Sequence, residues 1–192
     1  MNKIFIISGP SGSGKDTILD AVIKKHPDFF RAISYTDREK RQDDKPDTYH
    51  FISSNAFDEF LKSGEIFEWE FARDHRRYGS SRQEIQDALD QGKNIIKIVG
   101  PKSFPNFKNI FGDQVVGIFI KFEDINLLKT RIKKNRPDIT HEDLEIRFKQ
   151  SFADMEFEKY YDYSVINPEG NPQIAISEVE NIISKDLLSK RN

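Results

Sequence analysis

Ile4-Phe5-Ile6-Ile7-Ser8-Gly9-Pro10-Ser11-Gly12-Ser13-Gly14-Lys15-Asp16-Thr17-Ile18 decides the fold. Its first half is a short apolar run of β-branched and aromatic residues, the composition of a buried strand. Glycines at 9, 12 and 14 then allow the backbone to turn its N–H groups inward, and a helical pattern starts at Ile18. A strand, a glycine loop and a helix N-terminus in that order form a cradle for phosphate, with Lys15 placed to reach the terminal phosphates of a nucleotide. The spacing is that of a Walker A loop with one departure. Asp16 stands where a Ser or Thr usually ligates Mg²⁺; a carboxylate is also a hard oxygen donor, so it is a candidate metal ligand, directly or through water.

Outward from that loop, 192 residues suit one compact α/β domain with room for an inserted lobe. A formal charge of −2 with both signs interspersed gives no reason to expect nucleic acid or an anionic membrane as a partner. Cysteine is absent, which excludes disulfides and thiolate metal sites and fits a reducing cytoplasm. The apolar start at 4–7 is too short for a signal peptide, and the longest later apolar run, 115–120, is too short to span a bilayer.

The rest of the chain alternates strand and helix patterns. A helix from Ile18 closes before Pro27, and Ala32-Ile33-Ser34 reads as a strand. From 35 to 45 apolar residues vanish and Arg38, Lys40, Arg41 and Lys45 cluster; two arginines three residues apart suit bidentate phosphate recognition as well as an ordinary solvated loop. Residues 48–53 alternate as a strand, a helix follows to about Lys62, and Ile66-Phe67-Glu68-Trp69-Glu70-Phe71 alternates again. The alternation puts Glu68 and Glu70 on one face and predicts an aromatic core on the other. Ser81 and Glu84 form a capping box for a helix to Gln91. Strands are then predicted at 94–99, 115–122 and 163–166, a helix at 102–111 broken by Pro105, and helices at 125–132, from Thr140 to about Lys159, and at 174–188. Such alternation implies a parallel sheet with helices on both faces. Arg131, Arg136 and Arg147 fall around a polar segment between two helices, where surface salt bridges or mobile cations over a phosphate would both use them.

Taken in order, Gly9 to Thr17, Ser34-Tyr35-Thr36-Asp37-Arg38 with Arg41, Tyr49-His50-Phe51, Gly64 to Trp69, and Tyr78-Gly79-Ser80 resemble the guanylate kinase family over nearly the whole chain. The resemblance implies a P-loop kinase fold of three layers, α/β/α, with a central parallel sheet, an inserted antiparallel lobe for the nucleoside monophosphate (NMP) and a helical, arginine-bearing lid. Its boundaries would be a core of 1–34 and 81–192, a lobe of about 35–80 and a lid of about 131–147. The implied reaction is ATP plus GMP giving ADP plus GDP, with Mg²⁺, in the cytoplasm, by a monomer or homodimer.

Residue by residue, the resemblance implies that Arg38, Arg41, Tyr49 and Tyr78 hold the GMP phosphate and that Ser34, Glu68 and Ser80 read guanine. An ionised Glu68 would accept from N1–H and the 2-amino group, a pairing that adenine lacks. Gly9, Ser11, Gly12, Ser13, Gly14, Lys15, Asp16 and Thr17 would hold the ATP phosphates, Arg136 and Arg147 would be lid cations, and Arg131 and Asn167 would lie near adenine. Lys15, Arg38, Arg136 and Arg147 are the implied catalytic cations. The chain departs from the family where Lys97 and Val99 replace two aspartates of the strand after the lobe, the second of which helps to fix guanine. Two other features, Gly-Lys-Asp in the loop and Gly100 to Pro105, resemble ribose 1,5-bisphosphate phosphokinases, so a sugar-phosphate acceptor is one alternative. A non-catalytic guanylate-kinase-like module holding a phosphopeptide is another, although such modules typically have an eroded phosphate loop.

Overall fold

The computed structural model describes residues 2–42, 44, 48–71, 76–124, 127–135 and 137–188. Strand β1 (Ile4–Ser8) runs into the glycine loop and helix α1 (Lys15–Lys25), and the chain then forms the two-residue strand β2 (Phe30–Arg31). An excursion follows through β3 (Ser34–Thr36), β4 (Tyr49–Phe51), α2 (Ser54–Ser63), β5 (Ile66–Phe71) and β6 (Arg77–Ser81). Helix α3 (Arg82–Asp90) leads back to β7 (Ile95–Ile98), α4 (Phe104–Phe111) and β8 (Val115–Phe122). The remaining elements are α5 (Leu128–Asn135), α6 (His141–Asp154), β9 (Tyr163–Asn167) and α7 (Pro172–Leu188).

Five strands pair in parallel in the order β2-β7-β1-β8-β9. Both faces of this sheet are apolar, as parallel pairing demands. Phe5, Ile7, Ile96 and Ile118 pack with α1 and α7 on one side, and Ile4, Ile6, Ile95 and Val115 pack with α3 and α4 on the other. Because β1 sits between β7 and β8, the chain leaves it for one edge and later returns on its other side, which opens a crevice at the carboxyl ends of the strands. The glycine loop lies there. No helix among the described residues is long and apolar enough to cross a membrane.

The second sheet, β4-β3-β6-β5, departs from the all-antiparallel expectation, since β3 and β4 pair in parallel while β6 runs antiparallel to β3 and β5. The predicted strand at 32–34 divides between the sheets: Arg31 ends β2 in the first and Ser34 begins β3 in the second. Pro105 lies in the first turn of α4 and starts that helix instead of breaking it, because a first-turn residue has no intrahelical N–H bond to lose. The predicted helix to Lys159 stops at Asp154 and tightens into a 3₁₀ segment, Met155–Tyr160. The predicted caps are present: Ser81 Oγ accepts from Glu84 N–H at 3.0 Å and Thr140 Oγ1 from Asp143 N–H at 3.1 Å.

The alternation in β5 is inverted in space relative to the aromatic-core expectation. Glu68 is buried, whereas Trp69 and Phe71 are 39% and 57% exposed. Only Phe67 of that aromatic set joins the core, edge-on to Phe107 and Phe111 of α4, where the register of β5 against β6 shifts between Ile66 and Glu68. The lobe turns its carboxylate face toward the crevice.

Candidate active site

On the side of the glycine loop, backbone geometry fixes which residues can stand there. A Cβ on Gly9 would lie 2.1 Å from the Ile120 carbonyl oxygen, and Gly14 caps α1 at φ +91° with Asn167 packed against it. Lys15 Nζ donates to the Gly9 and Pro10 carbonyls at 2.7 and 2.8 Å, which curls the ammonium over its own loop. Ser11, Gly12, Gly14, Lys15, Asp16 and Thr17 line a cleft of about 360 Å³ whose far wall is Ile132 of α5 and Arg147 of α6. Gly9 and Ser13 are buried beneath it. Arg136 lies outside the described residues.

Asn167 and Arg131 are tied to the back of this loop. Asn167 Nδ2 donates to the Ser13 carbonyl at 2.8 Å and its Oδ1 is buried with no partner among the described residues. Arg131 donates to the Asn167 carbonyl at 3.1 Å, pairs with Glu169 and stacks over Phe122. Asn167 therefore braces the loop, a role not visible in the sequence.

The predicted phosphate readers of the second sheet converge. Arg38 is buried, its Nε donates to Tyr78 Oη at 3.0 Å, and its guanidinium lies over the rings of Tyr49 and Phe51. Its fork is already filled: Nη1 and Nη2 donate to the two carboxylate oxygens of Asp44 at 2.8 and 2.6 Å. The Arg41 backbone N–H donates to the same carboxylate at 2.6 Å, while the Arg41 side chain is exposed. Hydrogen bonds from Arg38 hold Asp44 well below the usual carboxylate range, at about 2, and the pairing raises Arg38 in turn. Burial pushes Tyr49 up to about 12, with the charges of Tyr78 and Asp16 adding to it.

Side chains from both sheets also form a buried polar cluster. Ser80 Oγ donates to Glu68 Oε1 at 2.5 Å, and Glu68 Oε2 is buried without a hydrogen bond among the described residues. Burial raises the Glu68 pKa, opposed by the Ser103 and Ser80 hydroxyls and by the positive charge of Lys97. Lys97 is 1% exposed, and its ammonium donates to Ser34 Oγ at 3.0 Å. Glu70 packs flat on Gly100, where even a Cβ would collide with its carboxylate, and burial with the nearby Glu68 and Asp154 pushes it up to about 7. Asp16 connects the halves: it lines the loop cleft and also a crevice of about 60 Å³ that reaches Ser34 and Tyr49.

The guanylate kinase family profile matches residues 1–186. The chain belongs to the guanylate kinase family. A guanylate kinase of Clostridium perfringens (strain 13) is 33% identical, with 95% of this chain and 87% of that relative aligned. One from Campylobacter jejuni (strain RM1221) is 35% identical over 86% of this chain and 81% of its own length. The crystal structure of guanylate kinase from Anaplasma phagocytophilum superposes with a TM-score of 0.74 at 20% identity, covering 96% of this chain and 86% of that one, which shows the shared fold.

Val99 is buried in the α3/α4 core and offers a base no polar atom, whereas Lys97 adds a cation to the buried polar cluster. The family also implies Mg²⁺. Among the described residues no group of three or more His, Cys, Asp or Glu could hold a metal. Mg²⁺ needs no such cage, since one carboxylate, waters and substrate phosphates complete its octahedron. Asp16, on the wall shared by both clefts, fits that requirement.

Proposed function

We propose that the protein transfers the γ-phosphoryl group of ATP to the phosphate of GMP, giving ADP and GDP. The observation that carries this reading is that Asp16 lines both clefts, one holding the loop ammonium of Lys15 and the other bounded by Tyr49 of the Arg38–Tyr49–Tyr78 cluster. Phosphoryl transfer needs positioning and charge neutralisation more than covalent chemistry, and each half supplies cations for one nucleotide.

On the donor side the loop from Gly9 to Thr17 cradles the ATP phosphates. Lys15 exchanges its two carbonyl contacts for phosphate oxygens, and Arg147 with Arg136 closes from the lid at about 131–147. Mg²⁺, held by Asp16, offsets phosphate charge when bound. On the acceptor side the lobe of about 35–80 binds GMP. Its phosphate displaces Asp44 from the Arg38 fork and gains Tyr49, Tyr78 and Arg41, while guanine enters the pocket of Ser34, Glu68 and Ser80. Glu68 must be ionised to accept from both N1–H and the 2-amino group, and the neighbouring hydroxyls and Lys97 favour that form. The enzyme works in the cytoplasm, where both nucleotides are present. The family profile and the two sequence relatives named above are of guanylate kinases, so neither a sugar-phosphate acceptor nor a phosphopeptide is favoured.

The test is ADP release with ATP and Mg²⁺ against a panel of GMP, deoxy-GMP, AMP, UMP and ribose 1,5-bisphosphate. GMP is expected to be preferred. Turnover with ribose 1,5-bisphosphate but not GMP, or with no acceptor at all, overturns the proposal.

A further inference from the structure

Lys97 is the largest charged side chain in the fully buried interior, and the mechanism above gives it no contact with substrate. A buried ammonium carries three N–H donors and tolerates burial only when they are satisfied. Among the described residues Lys97 donates one hydrogen bond, to Ser34 Oγ. Glu68 has the complementary deficit: its Oε2 is buried with no hydrogen bond among the described residues, the nearby Ser103 hydroxyl acting on it only electrostatically. Each feels the other's charge, yet the two form no direct ion pair within 4 Å. A buried donor anchored on Ser34 and a buried acceptor anchored on Ser80 are complementary to a planar group carrying an acceptor beside a donor.

Guanine has that edge: the six-position oxygen accepts, and N1–H with the 2-amino group donates. Adenine has the reverse polarity at both ring positions. We propose that Lys97 is a specificity-determining residue that donates to the six-position oxygen of the acceptor purine, beside Glu68, which accepts from its N1–H and amino group. This deepens the GMP reading and rests on it. Lys97 is thereby a donor to the base, so the chain selects guanine by attraction at its oxygen and by opposing N–H groups against adenine.

The experiment compares wild type with Lys97→Met, a near-isosteric change, using kcat/KM for GMP, 6-thio-GMP, 7-deaza-GMP and AMP. Losing a charged donor to the oxygen is expected to lower GMP efficiency about 10- to 100-fold. The wild-type preference for GMP over 6-thio-GMP, whose sulfur is a weak acceptor, should shrink by about fivefold or more, and the gap to AMP should narrow. Equal losses on GMP and 6-thio-GMP would show that Lys97 acts only by keeping Glu68 charged, and would overturn the proposal. So would an altered preference confined to 7-deaza-GMP, or unchanged GMP efficiency. Lys97→Gln, checked for folding by thermal unfolding, repeats the comparison should the Met variant not fold. Wild-type protein inactive on GMP would instead defeat the underlying reading.

Discussion

Arg38 and Lys97 are both buried cations on the acceptor side, and the chain treats them in opposite ways. Arg38 has an internal partner, the Asp44 carboxylate seated in its fork, and its pKa is raised. Lys97 has one serine hydroxyl, and burial lowers it to about 8 despite Glu68 and Glu84 nearby. A cation neutralised from within costs little to bury but must be unpaired before a phosphate can bind. One left short of partners costs stability throughout, and the deficit is made good only when a ligand arrives. The phosphate half is thus held ready by an exchangeable carboxylate, and the base half is held ready by strain in solvation.

The sharpest way to break that comparison is to remove the arginine. Arg38→Ala removes the buried bidentate donor for the acceptor phosphate and leaves only the exposed Arg41, so kcat/KM should fall by about 10³-fold, the size of effect expected when a charge-assisted positioning contact is lost. The loss should be nearly equal for GMP and deoxy-GMP, since both carry the same phosphate. Steady-state kinetics with the two acceptors checks it.

The lysine is tested through stability. Its folded pKa of about 8 lies below the 10.5 of an unfolded lysine, so between those values the unfolded chain binds more protons and stability rises with pH. At 1.36 kcal/mol per pH unit the charged lysine costs about 3 kcal/mol at neutral pH. Lys97→Met should therefore be more stable than wild type at pH 7 by about that amount, with the advantage fading by pH 10.5. Taking the difference between the two proteins cancels the tyrosines that titrate in the same range. Denaturant unfolding across pH 7 to 10.5 measures it, and a constant difference would mean that folding leaves the Lys97 pKa unshifted.

Why one cation could be foreseen in context and the other could not follows from what sequence patterns encode. The loop and the parallel sheet were legible because glycine spacing and apolar runs are local signals, and β8 at Val115–Phe122 matched its predicted span. The convergence of Arg38, Tyr49 and Tyr78 came from family resemblance. Period-two alternation in β5 separates two faces but is symmetric between them, so it could not tell that Glu68 is inside and Trp69 is half-exposed. Asp44 looked like any acid in a charged run, and only its ion pair in the structure shows it as the partner of Arg38. Lys97 interrupts Ile95-Ile96-Lys97-Ile98-Val99, a visible signal of a buried charge, but its hydrogen bond to Ser34 in the second sheet is tertiary information.

A smaller effect should separate base from phosphate recognition. Glu68→Ala removes the carboxylate proposed to accept from both N1–H and the 2-amino group, and should lower GMP efficiency about 100-fold. Inosine monophosphate, which lacks the amino group, should lose less. Equal losses would assign Glu68 to the pocket's architecture instead of to base reading. Parallel kcat/KM measurements with the two acceptors decide.

The smallest effect belongs to the internal carboxylate. In Asp44→Asn the amide can still accept one hydrogen bond from Arg38, but the negative charge and the second acceptor are gone, so the fork is held less tightly. An incoming phosphate then displaces a weaker competitor. KM for GMP should fall by about three- to fivefold with kcat little changed, because the exchange is complete before the phosphoryl group moves. A rise in KM would reverse the interpretation, since it would mean that Asp44 orients Arg38 for the phosphate and that its charge is needed in the bound state. The two outcomes differ in sign, so one Michaelis curve each for wild type and variant separates a carboxylate that keeps the site from one that helps to build it.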